Sequence, residues 1–108
     1  MFQNIDSAEL EALREQQDIT LIDVRTDAEV ARGIIKGARH IPLFTLPQRA
    51  TALANEGTLV IYCQSGGRSA QACSYLAQQG FADLYNLSGG ILAWLRDGKT
   101  LSDGPAES

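Results

Sequence analysis

The chain carries one histidine and two cysteines, Cys63 and Cys73, in 108 residues. With so few soft ligands no His/Cys cluster has metal-site spacing, so no metal and no cofactor are expected. Two cysteines make no disulfide framework, and a reducing cytoplasm is the simpler setting for them. No apolar run approaches the roughly 20 residues of a membrane span. Met1-Phe2-Gln3-Asn4 has neither the basic nor the apolar region of a signal peptide. A cationic excess is also missing: 9 Lys and Arg stand against 13 Asp and Glu, a net charge of −4, and no basic patch marks a nucleic-acid surface. There are no internal repeats and no linker. The length suits one domain over residues 1–100, burying about two-thirds of its extended-chain surface. From Lys99 onward the chain turns polar, and 101–108 reads as a frayed tail.

What is present centres on Leu59-Val60-Ile61-Tyr62-Cys63-Gln64-Ser65-Gly66-Gly67-Arg68-Ser69. Four apolar residues of high β-propensity predict a buried strand. A cysteine stands where that strand should end, and a helical pattern begins at Ser69. Gly66 and Gly67 can adopt φ > 0, letting the loop curl around its own cysteine. In such a curl successive N–H groups form an anion nest, and the following helix adds the positive end of its dipole. Arg68 adds a forked cationic donor. All three favour thiolate over thiol, so Cys63 is the candidate nucleophile, with a pKa below the free value of about 8.5. Gln64, Ser65, Gly66, Gly67, Arg68 and Ser69 are the candidate substrate-binding residues. The plain alternative is a structural cysteine beside a glycine-rich turn, which has no need of Gly-Gly-Arg after it.

Along the chain, Asp6 with Glu9 forms a capping box and Ile5 can staple to Leu10, opening a helix with Leu10 and Leu13 on one face. Residues 19–24 read as a strand buried on both faces. Thr26 or Asp27 can cap a short helix through about Arg32. Gly33 and Gly37 bracket a turn, and 38–41 is a short strand. Leu46, Ala50, Leu53 and Ala54 have helical spacing, with Pro47 in a first turn and Gly57 as a stop. After the 59–62 strand, 69–79 is a helix with Ala70, Cys73 and Ala77 on one stripe and Leu76 beside it. It stops at Gly80, with Phe81 folding onto Leu76 as in a Schellman cap. Residues 84–87 form a strand and 90–96 a last helix. Strands alternating with helices imply βαβ crossovers and a mostly parallel α/β sheet covered on both faces. Ligands bind such sheets at the carboxyl ends of the strands. Cys63 sits at one such end, and Asp23 and Arg25 at or just past another.

Cys63-Gln64-Ser65-Gly66-Gly67-Arg68-Ser69 resembles the active-site loop of the rhodanese family of sulfurtransferases. Ile22-Asp23-Val24-Arg25 resembles that family's Asp-x-Arg signature, and Leu87-Ser88-Gly89-Gly90-Ile91-Leu92-Ala93-Trp94 its Gly-Gly-x-x-Ala-Trp signature. Order and spacing agree over roughly Asn4 to Lys99. The resemblance implies a three-layer α/β/α fold with a five-stranded sheet. It implies that Asp23 and Arg25 support the loop rather than do chemistry, and that Trp94 packs the last helix onto the core. It also implies sulfur transfer from thiosulfate or a protein persulfide to a thiol or cyanide acceptor, through a persulfide on Cys63 and with ping-pong kinetics. One departure stands out: relatives read Gly-His-Ile-Pro-Gly-Ala where this chain has Gly33-Ile34-Ile35-Lys36-Gly37-Ala38, so local hydrogen bonding there must differ.

Other readings remain open at this point. Cysteine phosphatases and arsenate reductases also cradle an anion in a loop before a helix, but they place five residues between cysteine and arginine. Here there are four, Gln64 to Gly67, leaving a smaller bowl. A sulfur-carrier module passing persulfide between proteins, and an inactive docking module, are further alternatives; the retained Cys63 and Arg68 argue against the last. His40 lies between Arg39 and Ile41, away from any motif, and reads as structural. Cys73 reads as a small core residue.

Overall fold

Alternation along the strands explains the architecture. In the computed structural model, which describes residues 1–104, β1 (Gln3–Ile5), β2 (Thr20–Asp23), β3 (Arg39–His40), β4 (Leu59–Tyr62) and β5 (Leu84–Leu87) form one sheet in the order β1-β5-β4-β2-β3, parallel throughout. The helices are α1 (Ser7–Gln16), α2 (Asp27–Val30), α3 (Leu46–Arg49), α4 (Gly67–Gln78) and α5 (Gly90–Arg96). Successive strand side chains point to opposite faces. Leu59, Ile61 and Cys63 therefore join Cys73 and Leu76 of α4 and Leu46 of α3 in one buried cluster. Val60 and Tyr62 join Leu10 of α1, Val30 of α2 and Trp94 of α5 in a second cluster on the other face. Every residue of β2 and β4 is buried, as expected of strands covered on both sides. Each fully buried aliphatic residue contributes roughly 1.5–3 kcal/mol of transfer free energy.

The strand β1 has no signature in the sequence: three residues, two of them exposed, carry no apolar pattern. It exists because β5 offers it an edge, with Asn4 beside Asn86. The helix expected over residues 46–54 is interrupted. A 3-10 turn at Leu43–Thr45 precedes α3, and another at Ala50–Leu53 follows it. Pro47 has no N–H to give the Leu43 carbonyl, which accepts from Leu46 instead, three residues on. The helix α4 begins at Gly67, two residues earlier than its apolar pattern suggests, because Gly66 caps it. Its buried face is Ser69, Ala72, Cys73 and Leu76 rather than the Ala70–Cys73–Ala77 stripe.

The capping box at Asp6 and Glu9 is formed. So is the Schellman closure, with Phe81 N–H on the Leu76 carbonyl and Gly80 N–H on that of Ala77. The tail expected to fray from residue 101 is still held at Ser102, which pairs with Ile34 through two backbone bonds of 2.8 and 2.9 Å, and just before it the Trp94 indole N–H donates to the Thr100 carbonyl. The expected tail beyond Gly104 lies outside the described residues. Among those described, no helix is long and apolar enough to cross a membrane.

The sheet order also creates the crevice. The crossover after β4 runs to α4 on one face, and that after β5 runs to α5 on the other. Neighbouring strands whose helices part in this way leave a ligand-binding gap beyond their carboxyl ends, and Cys63 stands there.

Candidate active site

Strand periodicity puts Cys63 on the α4 face, directly before the turn that starts α4. The residue is 1 % exposed, yet its sulfur faces its own loop. Gly66 N–H donates to Sγ at 3.1 Å; Ser69 N–H and Ser69 Oγ–H each donate at 3.4 Å. Burial pushes the Cys63 thiol up, but hydrogen bonds from the Ser69 hydroxyl and from the peptides of Ser69, Gly66 and Ser65 outweigh it, so the pKa falls below its ordinary value. Gly66 takes φ +107°, a left-handed conformation that β-carbon-bearing residues resist. Gly67 does not share this role: it is the first residue of α4 and keeps a negative-φ helical backbone.

The loop shows its amides to the sulfur because its carbonyls are held from outside. Ile91 N–H donates to the Cys63 carbonyl at 3.0 Å and Leu92 N–H to that of Gln64 at 3.1 Å. The buried Asn86 of β5 donates its side-chain amide to the Gly66 carbonyl at 3.4 Å and to Asn4 at 3.0 Å. The start of α5 thus grips the loop from behind. The approach is so close that a β-carbon on Gly90 would lie 2.3 Å from the Cys63 carbonyl oxygen. The Gly89-Gly90 pair is visible in the sequence; its grip on the loop is not, and nor is the part of Asn86, since neither has a local signal.

Asp23 and Arg25 form a sealed pair on the opposite face. Arg25 Nη2 meets Asp23 Oδ2 at 2.8 Å, and their side chains are 4 and 0 % exposed. Arg25 Nη2 also donates to the Gly33 carbonyl at 2.7 Å, tying β2 to the following turn. That turn, which lacks the family's histidine and proline, is held through its own backbone groups: Ile35 N–H donates to the Tyr62 side-chain hydroxyl at 3.0 Å, and Ile34 pairs with the Ser102 backbone. His40 Nε2 lies 2.7 Å from the Arg25 carbonyl oxygen, a positioning contact on the β2 end rather than on the sulfur loop. Cys73 is buried in the core, where desolvation pushes its thiol up to about 12.

Arg68 does not extend over the loop alone. Its Nη1 and Nη2 bind the two carboxylate oxygens of Glu29 at 2.7 and 2.8 Å. The Arg68 hydrogen bond holds Glu29 well below the usual carboxylate range, at about 2. Glu29 also closes a capping box with Thr26 at the start of α2. Thr26-x-x-Glu29 is a readable capping pattern; its meeting with Arg68, 39 positions on, is not. Two cavities flank the loop. One, of about 440 Å3, is lined by Pro42, Leu43, Phe44, Arg68 and Tyr75. The other, of about 390 Å3, is lined by Glu29, Arg32, Gln64, Ile91 and Leu95. Among the described residues no cluster of three or more His, Cys, Asp or Glu side chains could hold a metal.

With this geometry in place, the likeness to known proteins is specific. The model of the rhodanese-like domain matches residues 6–97. A sulfurtransferase of Allochromatium vinosum is 46 % identical over 99 residues, covering 91 % of this chain and 92 % of that protein. A thiosulfate sulfurtransferase GlpE of Pseudomonas aeruginosa is 36 % identical over 93 residues, covering 86 % of this chain and 84 % of that protein. Among solved structures, a rhodanese-related protein from Thermoplasma volcanium superposes with a TM-score of 0.83 at 28 % identity, covering 93 % of this chain and 97 % of that one. The chain belongs to the rhodanese-like domain family.

Proposed function

We propose that the protein is a sulfurtransferase that carries sulfur as a persulfide on Cys63. The observation that carries this reading is the convergence of Gly66 N–H, Ser69 N–H and the Ser69 hydroxyl on Cys63 Sγ. These donors favour the anionic sulfur in a bowl closed by four residues between Cys63 and Arg68. The thiolate attacks the outer sulfur of a donor such as thiosulfate. The S–S bond of the donor breaks, sulfite leaves with the bonding electron pair, and a persulfide remains. Its terminal sulfur takes its negative charge into the same set of amides. An acceptor thiolate or cyanide then attacks that sulfur and Cys63 leaves as thiolate, restoring the starting state. Double displacement of this kind gives ping-pong kinetics. Similarity to the named sulfurtransferases supports the chemistry, and a cytoplasmic setting suits a reactive thiolate.

The test is intact mass after incubation with thiosulfate. Wild type should gain one sulfur atom, lose it to an added thiol, and show no gain as Cys63→Ser. A wild-type mass that never changes with thiosulfate or with a persulfide donor would sink the proposal. So would a gain that survives the substitution.

A further inference from the structure

The bowl presents amides to the reacting sulfur, while the guanidinium beside it already has an anion. Both Nη atoms of Arg68 are on Glu29, in the fork-to-fork arrangement that makes arginine–carboxylate pairs strong. The side chains are 36 and 25 % exposed, so the pair lies at the mouth of the site rather than in the core. Cys63 and Glu29 are both among the negative groups that hold Arg68 charged, so thiolate and carboxylate share one cation. Arg68 lines one of the two flanking cavities, Glu29 the other, and Arg25 both. Arg25 is already paired with Asp23 and with the Gly33 carbonyl. Arg32 lines the Glu29 side. A small dianion entering the bowl must either displace Glu29 from Arg68 or sit beside a carboxylate of its own sign.

We propose, resting on the sulfur-transfer reading, that Glu29 is a specificity-determining residue. By pairing with Arg68 it sets the site against small dianionic sulfur donors and in favour of persulfide sulfur borne on another thiol. Such a donor brings less charge to the bowl and needs only the loop amides. Glu29 touches Arg68 and not the sulfur, so its effect is on which donor binds rather than on bond breaking.

Glu29→Gln isolates the charge. A glutamine at the third helical position can still accept from Thr26 N–H, which Glu29 Oε1 now does at 3.0 Å, so the cap of α2 is kept. The primary readout is alkylation of Cys63 in the full-length chain by iodoacetate and by iodoacetamide, electrophiles of similar size that differ by one negative charge. Their rate ratio cancels any change in thiolate fraction. At low salt the iodoacetate-to-iodoacetamide ratio should rise about tenfold in Glu29→Gln, the scale of one unit charge at a protein surface. It should fall back in concentrated salt. Glu29→Gln with Arg68→Gln should return it to the wild-type value or below. An unchanged ratio in the single variant overturns the proposal. A rise that persists in the double variant does too, because Arg32 or the general field would then explain it. An unchanged iodoacetamide rate constant reports an intact loop. In parallel, KM for thiosulfate should fall about tenfold in Glu29→Gln with kcat within about twofold. If no donor loads sulfur onto wild type, the transfer reading fails, and the alkylation ratio still decides whether Glu29 withholds Arg68.

Discussion

Cys63 and Cys73 are almost equally buried, at 1 and 0 % exposure, yet their thiols move in opposite directions. Desolvation alone pushes Cys73 up to about 12. At Cys63 the same penalty is outweighed by hydrogen bonds from Ser69, Gly66 and Ser65. Cys73 faces apolar core and has one weak contact, 3.6 Å from its sulfur to the Tyr85 carbonyl, an acceptor that favours the protonated thiol. Burial therefore does not by itself make a cysteine inert or reactive. What decides is whether the surrounding groups donate to the sulfur or accept from it.

The sharpest way to break this contrast is to remove each sulfur in turn. Cys63→Ser should abolish persulfide formation and lower sulfur transfer by at least about a thousandfold, since the covalent route is lost. Mass spectrometry and a rate assay check this. Next in size is Gly90→Ala. Its β-carbon would sit 2.3 Å from the Cys63 carbonyl oxygen at a φ of +54°. Relief requires moving the loop, so the variant should lose about 2–3 kcal/mol of stability and most of its activity. Chemical denaturation and the transfer rate measure the two effects separately.

Ser69→Ala should move Cys63 toward Cys73 in behaviour. The pKa of Cys63 is depressed in the folded chain, so the anion is present above that pKa and lost as pH falls through it. Removing a hydrogen bond to a charged group costs about 1.5–3 kcal/mol. The alkylation pH profile should therefore shift upward by about one to two units. Wild type itself should titrate below an ordinary cysteine thiol. A profile unmoved by the substitution would mean that the hydroxyl contributes nothing. The smallest effect belongs to Cys73→Ala, which should cost about 1 kcal/mol for the small cavity left in the core and leave the Cys63 profile and the transfer rate unchanged.

Much of this site is legible in the order of the residues alone. Leu59 to Tyr62 has the composition of a buried strand, Gly66 marks a turn, and a helical pattern follows; together they place a cysteine at a sheet's carboxyl edge. The capping box at Asp6 and the Schellman stop at Gly80 are readable for the same reason, since each is made by residues close in sequence; Asp23 and Arg25, expected to support the sulfur loop, instead tie β2 to the Gly33 turn. Harder cases have no local signal. The three residues of β1 form a strand only because β5 has an unpaired edge. The helix expected over residues 46–54 tightens into a 3-10 turn from Ala50, a change that apolar spacing does not report.

By itself, the sequence determined that a thiol, two glycines and a guanidinium occupy one strand–turn–helix, because the conformations involved are set by neighbours a few positions apart. Only the tertiary structure decided where the loop's carbonyls and its arginine point. Ile91, Leu92 and Asn86 hold the carbonyls outward, and Glu29 takes the guanidinium. Those partners lie 20 or more positions away, and they arrive through sheet order and register. The physical reason is that a peptide can turn its N–H groups toward a sulfur in a buried place only if distant groups accept or donate on its other side.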